Sequence, residues 1–130
     1  MRILAFLIII FVSQPILGQI KQDSLLNVWK NTSTPDTSRL NALRDYYWDG
    51  YMDNQPDSAI YFANLRYQYA KEKGIPKHMS GALNSLGVAY KKKTQYEKSL
   101  SYFNKSIELN ERTRNKSGEA YAFLYKNKDG

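Results

Sequence analysis

Apolar and aromatic residues recur every three or four positions along most of the chain, the period of a helix that buries one face. From Thr37 to Met52 the stripe is Leu40, Leu43, Tyr47 and Tyr51, widened by Tyr46 and Trp48. Asp53, Asn54, Gln55 and Pro56 then make a turn. Pro56 with Asp57 opens a second helix, because a proline in the first turn gives up no intrahelical hydrogen bond. This helix carries Ala59, Ile60, Ala63, Tyr67 and Ala70, and Gly74 followed by Pro76 ends it. The plan then repeats, with a helix from about Lys77 to Lys92, a turn at Thr94 and Gln95, and a helix from about Tyr96 to Arg112. Ahead of these lies a short cluster of Leu25, Leu26, Val28 and Trp29, which predicts one or two helical turns over Ser24 to Lys30 with Asp23 as N-cap. Asn31 to Asp36 reads as a loop.

The two helix pairs match each other forty residues apart. Leu83, Leu86, Gly87, Ser99, Leu100 and Phe103 of the second pair stand at the offsets of Leu43, Tyr46, Tyr47, Ala59, Ile60 and Ala63 of the first. In the second pair Gly87 lets the helices approach, and Ser99 and Ser106 take positions where a larger side chain would collide. Tyr90, Leu100, Phe103 and Ile107 are expected to fill the space between the helices. A third unit begins at Lys116, Ser117 and Gly118, with Ala120 and Phe123 forty residues after Ser80 and Leu83, but Lys126 and Asn127 then replace the counterparts of Leu86 and Gly87. The expected fold is all-α, a short α-solenoid of antiparallel helix pairs with a period of about 40 residues, about five helices and an incomplete last repeat. Its divisions are residues 1–18 as a signal peptide, 19–36 as a leading helix and loop, 37–76 and 77–116 as two repeats, and 117–130 as the incomplete third.

The first twenty residues place the chain. Arg2, a ten-residue apolar run from Ile3 to Val12, and the small residue Gly18 have the layout of a secretory signal peptide cleaved near Gly18. Ten residues fall well short of the roughly twenty that span a bilayer, so the reading is export to the periplasm and not anchoring. With no cysteine there is no disulfide framework and no thiolate chemistry. Hydrophobic residues at 42% and aromatics at 14%, including eleven tyrosines, are too abundant for a disordered chain. The net charge of +7 would draw anionic partners, but the lysines are scattered, and export argues against nucleic acid. The one run, Lys91 to Lys93, falls where a helix ends and meets the negative end of its dipole.

Candidate chemistry is thin. The single histidine, His78, follows Pro76 at a helix start and reads as a solvated N-terminal residue. No phosphate-cradling loop, nucleophile elbow or metal-binding helix motif occurs, and Glu108 with Glu111 reads as a surface charge pattern on a lysine-rich helix. No catalytic residue, cofactor or metal is expected. The inner face of the first helix in each pair is the surface expected to bind. By repeat phase Asn41, Arg44, Trp48 and Tyr51 would face it from the first pair, and Asn84, Val88 and Lys91 from the second. The alternative is that Trp48 and Tyr51 pack on the leading helix.

Leu83, Leu86, Gly87, Tyr90 and Phe103 with the small Ser99 and Ser106 resemble a tetratricopeptide repeat, in which these positions form the packing signature between two antiparallel helices. Leu43, Tyr47, Ala59 and Ala63 hold the same phase in the first pair. Departures are the forty-residue period in place of the usual thirty-four, Leu83 for the frequent tryptophan, Glu111 for a helix-ending proline, and Tyr47 and Gly50 for the glycine and tyrosine of the first unit. The signal peptide, the segment DSLL, the stretch DTSRLNAL and the helix PDSAIYFA together are similar to exported tetratricopeptide proteins of Bacteroidota-type bacteria. That resemblance implies a noncatalytic module binding a peptide or partner protein, able to self-associate through its open repeat end. The alternative it implies is the periplasmic input region of a histidine kinase, nucleotide cyclase or transcriptional regulator without its output domain.

Overall fold

Six helices make up the described chain: α1 (Arg2–Lys30), α2 (Asp36–Tyr51), α3 (Pro56–Glu72), α4 (Pro76–Lys92), α5 (Tyr96–Arg112) and α6 (Lys116–Asn127). The computed structural model describes the backbone of residues 2–128 and the side chains of residues 16–128, and among them there is no strand. The signal-peptide reading of residues 1–18 falls mostly outside the described side chains. From α2 onward the helices start at residues 36, 56, 76, 96 and 116, twenty apart each time.

Each helix packs on its neighbour in sequence, most closely α3 with α4 and α4 with α5. Short connections force this arrangement, because turns of three to five residues can only fold a helix back along the one before. In addition α2 and α6 both reach α4, so alternate helices share one side of the stack. α4 is consequently the most enclosed element, with every residue from Ala82 to Ala89 buried.

Three of the turns are the same device. After α3, α4 and α5 the backbone turns through a left-handed residue, Gly74 (φ 67°), Thr94 (φ 60°) and Arg114 (φ 56°). In each case the next N–H reaches back five residues: Ile75 to the Ala70 carbonyl at 2.9 Å, Gln95 to Tyr90 at 2.9 Å, and Asn115 to Asn110 at 2.8 Å. This arrangement satisfies carbonyls that a helix end leaves without partners. Glycine adopts the conformation freely, whereas β-branched Thr94 does so under strain. The following helices start without a side-chain cap, except α6, where the Asn115 side chain accepts from the Gly118 N–H at 3.2 Å. Proline fills the first helical position of α3 and α4.

Small residues set the approach of α5 to α4. A Cβ on Gly87 would lie 2.7 Å from the Phe103 ring, which is almost wholly buried. Ser99 Oγ donates to the Gly87 carbonyl at 2.7 Å, and Ser106 Oγ donates to the Ser80 carbonyl at 3.0 Å. At the same phase in the first pair the sizes are exchanged. Buried Tyr47 stands in place of the glycine and buried Ala63 in place of the phenylalanine, and all four belong to or border one core with Leu43, Ala59, Leu86 and Val88. Leu83 is buried beside them. Tyr90 stacks on Tyr102 at 5.4 Å between ring centres, and Ile107 is half-buried.

Three expectations need correction. The helices number six where about five were expected. Asp23 does not cap a short helix: α1 runs through it unbroken, and its carboxylate accepts from Gln19 Nε2 one turn earlier at 2.9 Å. Leu100 is 44% exposed and so does not fill the space between α4 and α5. The end of α1 covers the outer side of the first pair. Lys21 pairs with Asp49 at 2.7 Å, and the Arg39 guanidinium lies against the rings of Trp29 and Tyr69, its centre about 5 Å from each. Among the described residues no helix is long and apolar enough to cross a membrane.

Candidate functional site

The shared side of α2, α4 and α6 is concave and holds two adjoining cavities. One, of about 730 Å³, is bordered by Asn41, Arg44 and Trp48 of α2, by Asn84 of α4 and by Tyr121 of α6. The other, of about 930 Å³, is bordered by Val88 and Lys91 of α4 together with Trp48, and by Tyr96, Ser99 and Leu100 at the start of α5. Trp48 and Tyr125 border both, and their rings meet edge-on at 6.4 Å, so this pair forms the partition. Six of the seven residues assigned to the groove from repeat phase thus line it. Tyr51 does not. It stacks on Phe62 of α3 at 5.7 Å and shares a hydrogen bond with the Tyr46 hydroxyl at 3.0 Å. That bond is the main reason the Tyr46 hydroxyl is pushed up to about 12, with burial adding to it.

The charged groups of the groove differ in how they are held. Arg44 is pinned by its neighbour Asp45, with Nε and Nη2 each 2.8 Å from the same carboxylate oxygen. Lys91 donates to the Tyr125 carbonyl at 3.4 Å and to the Lys128 carbonyl, tying the end of α4 to the end of α6. Lys92 and Lys93 meet Asp53 and Asp57 beside the turn between α2 and α3. These pairs are exposed and contribute little individually. Asn84 is buried, and its Oδ1 has no partner among the described residues.

Beneath the smaller cavity lies a polar cluster that the sequence reading passed over. Arg66 of α3 is only 4% exposed. Its Nη1 donates to the Tyr47 hydroxyl at 3.1 Å, its Nη2 lies 3.0 Å from His78 Nδ1, and its Nε has no partner among the described residues. Tyr47 and Ser85 Oγ are 2.7 Å apart, and Ser85 Oγ donates to the Gly81 carbonyl at 3.1 Å. With the Tyr47 oxygen accepting from arginine and the serine proton committed to Gly81, the Tyr47 proton goes to Ser85. The run of bonds has one direction, from Arg66 through Tyr47 and Ser85 to the α4 backbone.

His78 is therefore not the solvated residue expected at a helix start. It is 7% exposed, and an arginine can only donate, so Nδ1 must accept and the ring is neutral with its proton on Nε2. Burial first, then the nearby cations Arg66, Arg44 and Lys77, lower its pKa from 6.5 to about 4. Tyr121 above is shifted the opposite way, upward, first by burial and then by its bond to Tyr125.

The sequence did contain a signal for Arg66. It stands three residues after Ala63 and four before Ala70, on the buried stripe of α3, where small residues on either side leave room for a long side chain. Comparison with known proteins adds nothing to this picture, since no family model, curated protein or solved structure matches the chain.

Proposed function

We propose that this chain is a noncatalytic interaction module, a tetratricopeptide-like helical stack that binds a peptide or partner protein in the groove between α2, α4 and α6. The observation that carries this reading is the groove itself. α2, α4 and α6, joined by the start of α5, line one open concavity, with an aromatic partition at Trp48 and Tyr125 and exposed polar groups, Asn41 and Arg44, along its rim. Aromatic anchors flanked by polar groups are the usual makeup of binding hot spots. Helix starts at twenty-residue intervals agree with a forty-residue helix-pair repeat and support the solenoid reading. Work in the periplasm after export belongs to the same proposal and is supported by Arg2, the apolar run Ile3 to Val12 and Gly18.

Peptide-display selection on the whole folded protein tests the reading. Selected peptides should lose tenfold or more in affinity, about 1.4 kcal/mol, on Trp48→Ala, and a smaller amount on exposed Asn41→Ala, with helical circular dichroism unchanged. Peptides that bind both variants as well as the parent would place recognition elsewhere, and failure to select any would refute the proposal.

A further inference from the structure

Arg66 is a buried cation held only by neutral groups. Among the described residues no carboxylate lies within ion-pair distance of it, and its hydrogen bonds go to a tyrosine hydroxyl and a neutral imidazole. Taking such a charge out of water costs several kcal/mol, and uncharged partners recover only part of that. The surroundings increase the imbalance. Among the described residues, the cavity that Arg66 borders carries three cations, Arg44, Arg66 and Lys77, against one carboxylate, Asp45, which Arg44 already occupies.

The site is built around this group. A Cβ on Gly81 would come within 2.9 Å of Arg66 Nη2, so the absence of a side chain there makes the room the guanidinium occupies. Tyr47 and His78 use one proton from each terminal nitrogen, which leaves the fork with donors to spare. The cavity in front, about 730 Å³, is in the range of small-molecule sites, and Trp48, Tyr121 and Tyr125 give it apolar walls.

We propose that this cavity is a receptor for a small anionic molecule, an oxyanion on an apolar or aromatic body, with the carboxylate or phosphate seated on Arg66. A planar guanidinium matches either oxyanion through paired hydrogen bonds, and the rings take the body of the ligand. The proposal stands whether or not a protein also occupies the groove.

The single histidine provides a reporter, because its ring contacts Arg66 and no other imidazole signal overlaps it. The full chain is titrated with benzoate, phenyl phosphate and the neutral isostere benzamide, following the His78 ring protons by NMR. Benzoate or phenyl phosphate should shift them saturably, and the relative affinities identify the preferred oxyanion. Benzamide should bind at least tenfold more weakly. Arg66→Gln should lose tenfold or more in affinity for the anion, and where that variant melts early, Arg66→Lys keeps the charge without the planar fork and should still lose several-fold. Lys71→Gln, which removes an exposed charge of α3 that borders neither cavity, should change affinity less than threefold. Equal binding of benzoate and benzamide, no saturable shift with either anion, or a loss on Lys71→Gln as large as that on Arg66→Lys would each overturn the proposal.

Discussion

At the scale of single residues, the most consequential side chain is one that composition alone made look incidental. His78 is neutral because Arg66 donates to it and because burial, Arg66, Arg44 and Lys77 all oppose its protonation. Asp45, bordering the same cavity from α2, is the only carboxylate there among the described residues and is taken up by Arg44, while Tyr47, Tyr121 and Tyr125 are further titratable groups nearby. Since the folded value of about 4 lies below the unfolded value of 6.5, the unfolded chain binds the extra proton between those limits. The contribution to stability is fully present above pH 6.5 and is lost as the pH falls toward 4. At about 1.4 kcal/mol per pH unit the whole window is worth on the order of 3 kcal/mol at most. Urea denaturation at several pH values should show this loss, and His78→Gln, whose side-chain oxygen can still accept from Arg66, should flatten the curve between pH 6.5 and 4. An unchanged slope would mean that the imidazole is not the group that titrates. None of this was legible in the tripeptide Lys77-His78-Met79, since burial of a helix-start residue depends on what the preceding helix carries. Arg66 was partly legible, because its place on the stripe Ala59, Ala63 and Ala70 puts a charge on a buried face.

At the scale of the elements, exchange of large and small residues between the two helix pairs explains why one pair resembles the repeat pattern more than the other. Gly87 under Phe103 and Tyr47 with Ala63 keep the volume between helices similar while reversing which helix supplies it. Position by position the first pair looks like a poor match, although the paired volumes agree. Helix ends were readable from Pro56, Pro76 and Gly74, whose backbone preferences are local. The turns at Thr94 and Arg114 carry no glycine, and only their place in the repeat marked them. The reach of α1 was not readable, because Ser24 to Lys30 shows a helical face of its own and nothing in Ser13 to Asp23 marks a continuous helix. The tightest contact gives the sharpest prediction. Gly87→Ala sets a methyl 2.7 Å from a ring that is almost wholly buried, and should cost about 1–3 kcal/mol in a thermal or urea melt. A melt indistinguishable from the parent would show that α4 and α5 are not packed this closely.

For the molecule as a whole, what matters is that alternate helices face the same way. Stacking of α2, α4 and α6 on one side leaves a continuous groove with aromatic residues at its centre, while α3 supplies a charge from beneath. The helical class and the phase of the groove followed from periodicity, so Asn41, Arg44, Trp48 and Asn84 could be placed together from spacing alone. Depth was not legible in the same way, since a repeat pattern says which residues share a face but not that two cavities meet at Trp48 and Tyr125. The measurement that most directly tests the central claim is amide chemical-shift mapping of the labelled protein with a display-selected peptide. The account predicts perturbations concentrated on the facing sides of α2, α4 and α6, around Asn41, Trp48, Asn84 and Tyr125. Perturbations confined to the exposed side of α3 around Tyr61, or of α5 around Lys105 and Glu108, would contradict it.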